Sequence, residues 1–391
     1  MVTSVTSRAA ALAWRSPGPT GSDAVLAQYA AAGLSRSVAI TDSLDNLQRN
    51  WAGLSTLAAA GKIASVQVTN AAAGPLTLSA SALLSGKSLL SKLGSTQVVV
   101  ADTGANIVAN LGSLQLNASR FKAIQIQDPQ EAMQLSQAQW QAAAPVFAKM
   151  QGGQYQLSLT GVTGSSLARV VAQSQVTSFS FADTSANVMV NWNTLSAAAQ
   201  RVRSVNLQGT AATLSLSDAQ YQAGQQLRSA IQSPYTVTLS QVAAAQVATR
   251  LGDAHVVSVK VQDKVANVSA QLDALQQATG KLQEIKLTDT TNPMQVSVQQ
   301  LLGAPQGFWG KVGGKLGFQV VDSGANLMAG LDQLQQQASR ITSLTVSDTT
   351  RPTLSVTAAQ YKNDGAVLAK LKGAALSVKL IGAGISVGAF M

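Results

Sequence analysis

The stretch VVVADTGAN (Val98–Asn106) contains alternating apolar residues, an aspartate and, four positions later, an asparagine. The same pattern recurs as VAITDSLDN, FSFADTSAN, VKVQDKVAN and FQVVDSGAN, which start at Val38, Phe179, Val259 and Phe318. The motif residues are Asp42, Asp102, Asp183, Asp263 and Asp322, followed by Asn46, Asn106, Asn187, Asn267 and Asn326. Five recurrences indicate one internally repeated chain, where length alone would suggest two or three separate domains.

Each motif is followed by a segment with apolar residues three and four positions apart. The segment ANVSAQLDALQQATGKL (Ala266–Leu282) is an example, and its spacing predicts one helix. Two short strands are predicted next, such as EIKLTD at Glu284 and MQVS at Met294, with a turn between them that often contains proline. A second helix then begins, in four copies, with the Ser/Thr-x-x-Gln capping box: SQAQ (Ser136–Gln139), SDAQ (Ser217–Gln220), SVQQ (Ser297–Gln300) and TAAQ (Thr357–Gln360).

The spacing of the copies predicts the fold. Successive motif aspartates are 60, 81, 80 and 59 residues apart, and the longer copies contain one extra strand-plus-helix module, at Tyr155–Gln173 and Tyr235–Asp253. Modules that can be added in this way are typical of solenoids. We therefore predict an α/β fold, an elongated solenoid of repeated β-strand/α-helix units with leucine-rich-repeat-like spacing. Hairpin and parallel arrangements of the strands beside the proline turns both fit.

The predicted domain organisation follows from the same pattern. Residues 1–21 are expected to form a flexible N-terminal arm, and residues 22–391 one continuous α/β repeat domain. The five degenerate repeats of 60–80 residues begin near residues 37, 97, 177, 257 and 316.

Composition narrows the classes of protein that fit. The 391 residues include 27 Lys and Arg and 17 Asp and Glu, so 11% of the chain is charged, against about 25% in an ordinary soluble domain. The hydrophobic content of 46% is sufficient for a core. The absence of cysteine excludes disulfides, thiol catalysis and cysteine zinc sites. His255 is the only histidine, and we expect it to be a surface or hydrogen-bonded residue rather than a catalytic one.

The net charge of +10 limits the kinds of binding partner that fit the chain. Lysines and arginines are scattered singly, and the densest groups are the pairs Arg201/Arg203 and Lys370/Lys372. A nucleic-acid-binding face would cluster these residues, so no nucleic acid partner is expected. An acidic polysaccharide or lipopolysaccharide is compatible with the charge. We also expect no transmembrane segment, because no run of about 18 uncharged apolar residues is present.

The motif aspartates have two interpretations. In the structural one, the aspartate closes a strand and caps the next helix, while the asparagine satisfies backbone groups one turn later. In the other, Asp42, Asp102, Asp183, Asp263 and Asp322 are weak calcium candidates, helped by Asp128, Asp289 and Asp348. Calcium takes about six to eight oxygen ligands, and each Asp-Asn pair supplies only a few. We therefore expect a structural role and no cofactor, with calcium as the alternative.

Several other residues recur at fixed positions or stand out in composition. Trp140, Tyr221 and Tyr361 each follow a capping glutamine, and this regularity predicts a packing role. Phe308 and Trp309 lie in GAPQGFWGKVGGK (Gly303–Lys315), which is interpreted as an insertion, with a contact loop as the alternative. The C-terminal AALSVKLIGAGISVGAFM (Ala374–Met391) aligns with the start of the extra module and is also a candidate export signal. Because acids recur once per module, they look architectural, and no catalytic residues are expected.

The combination of DTGANI and DTSANV, the Leu-x-x-Leu helix, SLTVSDTT and AQY resembles the repeats of large bacterial secreted surface proteins. These are type I-secreted adhesins and surface-layer-like repeat proteins, and the resemblance extends from about Asp23 to the end of the chain. It implies an extracellular location at the bacterial cell surface and a structural or adhesive role. Two features depart from it: the chain lacks Gly-Gly-x-Gly-x-Asp calcium nonapeptides, and it is basic where such proteins are usually acidic.

Three functions fit these observations. The first is a non-enzymatic extracellular structural protein that self-assembles into a surface layer, filament or biofilm matrix, with copies of itself as partners. The alternative is an adhesin or binding module for acidic polysaccharide or lipopolysaccharide, whose binding would be salt-sensitive. The third is a carbohydrate-active solenoid enzyme, which requires a cluster of acids on one face.

Overall fold

Short alternating apolar segments form the strands of an α/β structure, seen in a computed structural model that describes residues 20–34, 36–209, 212–289, 292–314, 317–350, 353–372 and 377–381. The strands are β1 (Val38–Asp42), β2 (Ile63–Val68), β3 (Leu76–Leu78), β4 (Val98–Asp102), β5 (Ala123–Ile126), β6 (Ala132–Ser136), β7 (Gln156–Val162), β8 (Val176–Thr184), β9 (Val202–Gln208), β10 (Ala212–Ser217), β11 (Tyr235–Val242), β12 (Val256–Asp263), β13 (Leu282–Leu287), β14 (Met294–Val296), β15 (Phe318–Asp322), β16 (Ile341–Val346), β17 (Thr353–Thr357), β18 (Leu371–Lys372) and β19 (Ser377–Ile381).

The helices between these strands are short. They are α1 (Ser22–Ala32), α2 (Leu44–Arg49), α3 (Trp51–Ala59), α4 (Ala80–Ser85), α5 (Lys87–Leu90), α6 (Gly104–Ala109), α7 (Leu111–Leu116), α8 (Gln137–Ala142), α9 (Ala144–Phe147), α10 (Gly164–Ala172), α11 (Ser185–Val190), α12 (Trp192–Ala197), α13 (Asp218–Ala223), α14 (Gln225–Ser229), α15 (Val247–Leu251), α16 (Val265–Ala270), α17 (Leu272–Gln277), α18 (Val298–Leu302), α19 (Gly324–Ala329), α20 (Leu331–Gln336), α21 (Ala358–Asn363) and α22 (Gly365–Leu368). We call a strand and the helices that follow it a strand–helix unit.

The strands pair in parallel wherever the described residues define a register. The sheet orders are β1-β2, β3-β4-β5, β6-β7-β8-β9, β10-β11-β12-β13, β14-β15-β16-β18 and β17-β19. The two strands beside each proline turn, such as β13 and β14, therefore belong to different sheets, and the hairpin alternative is wrong. Parallel pairing follows from the connections, because helices return the chain to the start of the next strand.

The described residues form two compact regions. One contains residues 20–182 and 200–205, and the other contains residues 183–199 and the described residues from 206 onward. The predicted N-terminal arm lies outside the described residues, except for Thr20 and Gly21. Of the predicted C-terminal export signal, only Ser377–Ile381 is described, as strand β19.

The core lies between the strands and the helices. Val100, Phe179 and Val259 on the strands and Leu114 and Leu275 on the helices are all fully buried. Burial of such side chains stabilises each one by about 1.5–3 kcal/mol, which is the main force that joins neighbouring strand–helix units. The predicted strand-plus-helix modules after Tyr155 and Tyr235 are present as β7 with α10 and β11 with α15.

The single helix predicted over residues 266–282 is wrong, because two helices, α16 and α17, are separated there by Gln271. Gln271 has φ −116° and ψ 13°, and it cannot continue an α-helix. The same break recurs between the two helices after every motif. The break turns the chain so that the residue directly after it is buried in each copy: Trp51, Leu111, Trp192, Leu272 and Leu331.

All four predicted capping boxes are confirmed. The Ser or Thr side chain accepts from the third helical N–H, and the glutamine side chain accepts from the backbone N–H of the capping residue. In the first copy, Ser79 caps α4 alone. Removal of such a cap costs about 1 kcal/mol, so these polar residues are explained by helix formation.

The predictions for the aromatic residues are confirmed in part. Trp140 and Tyr221 are 7% and 6% exposed, as packing requires, but Tyr361 is 46% exposed. Phe308 is fully buried, and the Trp309 ring lies 4.7 Å from the Phe318 ring in an edge-on contact. Phe308 and Trp309 therefore contribute to the core.

Two tryptophans pack against glycines of the following strand–helix unit. The Trp192 Nε1 donates to the Gln220 carbonyl at 3.1 Å, and a Cβ at Gly224 would lie 2.4 Å from the Trp192 ring. Trp51 makes the same contacts with Ala82 and Gly86. Since Trp192 is 1% exposed, its ring has no room to move away, and only glycine fits opposite it.

We predict that Gly224→Ala destabilises the protein by about 1–3 kcal/mol, the usual cost of overpacking a core. Gly112→Ala is the matched control, because Gly112 lies inside α7 with nothing within 4 Å of an added Cβ. Alanine there raises helix propensity and is expected to stabilise by about 0.5–1 kcal/mol. Urea unfolding followed by circular dichroism measures both; equal effects would contradict the packing argument.

Candidate functional site

The motif aspartates hold two strand–helix units together. The Asp322 Oδ1 accepts from the Ser323 N–H at 2.8 Å and from the Asn326 Nδ2 at 2.7 Å. Its Oδ2 accepts from the Val298 N–H at 2.9 Å. Val298 is the first residue of α18 in the preceding strand–helix unit, and the first N–H groups of a helix have no partner within the helix. The carboxylate therefore satisfies a helix end in a neighbouring part of the chain.

The same arrangement recurs in other copies. Asp42, Asp102 and Asp263 accept from the N–H groups of Ser22, Ala80 and Ala244 at 2.7–2.9 Å. The first N–H of the helix that follows a motif is bound in the same way, by an acid or amide that lies after the next strand. The side-chain oxygens of Asn70, Asp128, Asp289 and Asp348 accept from the N–H groups of Leu44, Gly104, Val265 and Gly324, respectively. We call these contacts the inter-unit caps.

Two details of the predicted structural role are wrong. The motif aspartate does not cap the helix that follows it; the next residue does so, as Ser43, Thr103, Thr184 and Ser323. The aspartate is the last strand residue in most copies and its carboxylate already binds elsewhere, so the extended residue after it takes the capping position. The asparagine donates its side-chain amide to the aspartate, at 2.6–2.8 Å in Asn46, Asn106, Asn187, Asn267 and Asn326.

The geometry bears directly on the calcium alternative. Asp322 accepts three N–H hydrogen bonds, and a cation would have to displace donors that point at its oxygens. Within the described ranges, no group of three or more Asp, Glu or His side chains is arranged to hold a metal ion.

Hydrogen bonding also sets the protonation of these carboxyls. Partial burial acts to raise the pKa of Asp322, but the hydrogen bonds from Asn326, Val298 and Ser323 outweigh burial and lower the pKa below its ordinary value of 3.8. The pKa values of Asp42 and Asp263 are lowered in the same way, against the effect of burial. The ionised form therefore stabilises the fold.

Basic side chains donate hydrogen bonds to backbone carbonyl groups at the C-terminal ends of helical segments. The Lys149 Nζ donates to the Phe121 carbonyl at 2.7 Å, and the Lys370 Nζ donates to the Ile341 carbonyl at 2.6 Å. Arg201 donates to the carbonyls of Val171 and Gln173 at 2.9 and 3.0 Å, where α10 ends. Cations near the C-terminal end of a helix are stabilising. Part of the basic charge is thus used within the fold.

A charged cluster breaks the repeat in the second compact region. The Arg228 guanidinium lies 3.1 Å from the Asp253 carboxylate and stacks 3.7 Å from the Tyr221 ring centroid. The Tyr221 hydroxyl donates to Asp253, and Arg250 binds Asp218 through two nitrogens. Burial and the hydrogen bond to Asp253 raise the pKa of Tyr221 to about 12. Burial opposes ionisation of Asp253, but its hydrogen bonds lower its pKa to about 2.

Sequence reasoning missed this cluster, because it detected no acidic break in the repeat. The corresponding residues of the second copy, 81 positions earlier, are Gln137, Trp140 and Phe147 in place of Asp218, Tyr221 and Arg228. A comparison of these positions between the two copies would have indicated that the charged residues depart from the repeat. Both carboxylates are paired with arginines, so the charges of these four side chains balance.

The position of His255 agrees with a hydrogen-bonded surface residue. Its side chain is 49% exposed and its Nδ1 lies 3.0 Å from the Asp253 Oδ1. Its ring stacks on Tyr235, with ring centroids 4.3 Å apart.

Another pair of acids, Asp332 and Asp364, lies in the fifth copy. Asp364 is 4% exposed, and one of its carboxyl oxygens has no hydrogen-bond partner. Burial, followed by the hydrogen bond and charge of Asp332, raises the pKa of Asp364. A carboxyl with a raised pKa close to a second carboxyl is a feature of acid–base sites, but a substrate cannot reach a side chain buried to this extent.

Two clefts lie at equivalent repeat positions, each beside the first helix after a motif. One, of about 530 Å³, is lined by α6, Asp128, Glu131 and β6 residues such as Met133 and Gln134. The other, of about 580 Å³, is lined by α16, Asp289, Asn292 and β14 residues such as Gln295. No Lys or Arg is among the residues that line either cleft, so neither attracts an acidic ligand.

No protein-family model, curated protein or solved structure matches the chain. Among the helices that the structure describes, none combines the length and apolar character needed to cross a lipid bilayer.

We predict that Asp322→Asn destabilises the protein by about 2 kcal/mol at neutral pH, because hydrogen bonds to a charged group are lost. The folded-state pKa of Asp322 is lowered, so its stabilisation is complete above the unfolded value of 3.8 and is lost as the pH falls below it. The difference between wild type and variant should therefore shrink below about pH 4. Urea unfolding measured across this range checks the prediction.

The control for this experiment is Asp45→Asn, which neutralises an exposed acid in the first turn of α2. We expect a change within about 0.5 kcal/mol, as at most surface positions. An Asp322→Asn effect that is equally small, or that does not depend on pH, would contradict the role of the carboxylate.

Proposed function

We propose that the protein is a non-enzymatic structural protein of the bacterial cell surface that self-assembles into a layer, filament or matrix. The proposal includes the elongated solenoid, in which strand–helix units stack one on the next. The extracellular location is supported by the resemblance of the repeats to secreted surface proteins.

The observation that carries the proposal is the use of charge within the fold. The motif acids and Asp128, Asp289 and Asp348 cap helices, and Asp218 and Asp253 are paired with arginines. Lys149, Arg201 and Lys370 bind carbonyl groups of preceding segments. Many of the carboxylates that an enzyme could use as acids or bases are thus hydrogen-bonded or ion-paired within the fold. Because only 11% of the residues are charged, the remaining surface is mostly neutral and polar, with an excess of basic side chains. Contacts between copies would form through its neutral parts.

Two isolated aliphatic side chains mark surfaces for such contacts. Leu116 at the end of α7 is 87% exposed, and Val190 at the end of α11 is 83% exposed. Most large aliphatic residues of the described chain are buried. If an exposed apolar residue of one copy binds a different surface of the next copy, each added copy leaves a free binding surface for another. Contacts of this kind extend into filaments instead of closing into a ring.

We predict concentration-dependent oligomers in sedimentation velocity and filaments or sheets in negative-stain electron microscopy. The oligomers should persist when the salt is raised several-fold above physiological ionic strength, because contacts between neutral surfaces are not screened. Leu116→Asp combined with Val190→Asp should reduce assembly without lowering the midpoint of urea unfolding.

The matched control is Gln277→Asp. Gln277 is exposed at the end of α17, the repeat position that Leu116 occupies in α7, so the variant adds the charge that Leu116→Asp adds by itself, without removing an apolar side chain. It should leave assembly unchanged. A monomer at all accessible concentrations would contradict the proposal, and dissociation by salt would favour a partner of opposite charge.

A further inference from the structure

A third cleft, in the first compact region, differs from the other two because an aromatic ring forms part of its wall. It has a volume of about 290 Å³ and opens beside the start of β7. Its lining includes Gln130, Gln154, Tyr155, Gln156, Ser174 and Gln175. None of these side chains is charged at neutral pH, so the cleft offers an ionic ligand no counter-charge.

The amide side chains of this cleft are available for binding. Gln130 and Gln154 are exposed, and Gln156 and Gln175 are half-buried. Within the described part of the chain, none of these four amides has a hydrogen-bond partner. Each amide can donate two hydrogen bonds and accept two. An apolar ligand would leave these groups unpaired and desolvated, which is costly, so the cleft suits a ligand rich in hydroxyl groups.

The ring of Tyr155 is held in place from behind. It lies 6.0 Å from the Phe147 ring, and Phe147 is buried. Burial also raises the pKa of Tyr155 above its ordinary value, so its hydroxyl stays protonated at physiological pH. A fixed aromatic ring beside free amides presents a flat apolar surface and hydrogen-bonding groups together.

The chain contains a closed counterpart of this cleft. Eighty residues later, Tyr235 takes the position of Tyr155, and His255 takes the position of Gln175. The His255 ring stacks on Tyr235 at 4.3 Å with 19° between the ring planes, and Asp253 holds His255 in place. At the second site, therefore, another side chain of the protein occupies a face of the tyrosine ring.

We propose that the cleft at Tyr155 binds a neutral pyranose residue of a glycan, which stacks its C–H face on the tyrosine and donates and accepts hydrogen bonds through its hydroxyls. The volume of about 290 Å³ suits one or two sugar residues. A neutral sugar fits the absence of charge, the free amides and the ring together. The inference is independent of self-assembly: a monomer could bind a glycan, and a filament could fail to do so.

The experiment uses the full-length protein and five probes: the tetrasaccharides of β-1,4-linked glucose, β-1,4-linked mannose and β-1,4-linked galactose, an acidic oligogalacturonate, and tetraethylene glycol. Saturation-transfer NMR detects contact, and titration calorimetry measures affinity. We expect at least one neutral tetrasaccharide to bind, with neither oligogalacturonate nor tetraethylene glycol binding.

Two variants test the location. Gln173→Asp with Gln175→His recreates the Asp253–His255 pair and should cover the Tyr155 ring, weakening binding by about tenfold or more. Tyr155→Leu removes the ring and should weaken binding similarly. The double variant copies a pair that the chain already accommodates, so its urea-unfolding midpoint should change little. Binding of none of the neutral sugars, preferred binding of oligogalacturonate, or binding unaffected by the double variant would each overturn the proposal.

Discussion

The fold depends on a hydrogen bond between an acid at the end of one strand and the first N–H of a helix in the preceding strand–helix unit. Most helices here have four to nine residues, and isolated helices of this length are not stable in water. Asp322 binding to Val298 and Asp102 binding to Ala80 show how the chain compensates. These helix starts are completed by the next unit, and burial of apolar residues then joins the two.

This constraint explains the composition. A chain with 11% charged residues has few carboxylates, and the repeat places many of them where two units meet. Basic residues such as Lys149 and Arg201 act on the carbonyl ends of preceding segments. Many of the carboxylates therefore serve to join units, which is consistent with the proposed structural role. No Lys or Arg lines the clefts at α6 and α16, whereas Arg120 and Lys122 line a cleft of about 320 Å³ beside the start of β4.

Much of the local structure could be predicted because it depends on residues close in sequence. The strands of the motif and the capping boxes, such as Ser217 with Gln220, need only a short pattern. The break at Gln271 was missed because glutamine is a good helix former, although the residues at the equivalent positions, Asn50, Asn110, Asn191 and Gly330, are weaker ones. The inter-unit caps and the Tyr221–Asp253 cluster join residues 19 or more positions apart, so no local pattern indicates them.

The candidate sites, like the fold, include features that the local sequence does not indicate. The sequence around His255 does not indicate a role for this residue. The structure shows that His255 stacks on Tyr235, whereas Gln175, at the equivalent position of the earlier copy, lines a cleft. This difference is visible only when the two positions are compared in three dimensions. Repetition is useful here because each copy serves as a reference for the others. A departure from the common arrangement, such as the uncovered ring of Tyr155, then identifies a position that the shared architecture does not explain.

Hydrogen–deuterium exchange of wild-type protein and Asp322→Asn tests the central claim most directly. If an acid of one unit holds the helix start of the preceding unit, the variant should lose protection at Val298 and along α18, and around Ser323–Asn326, while the helix starts at Ala80 and Gly104 keep theirs. Unchanged exchange at Val298, or an equal loss of protection throughout the chain, would contradict the account.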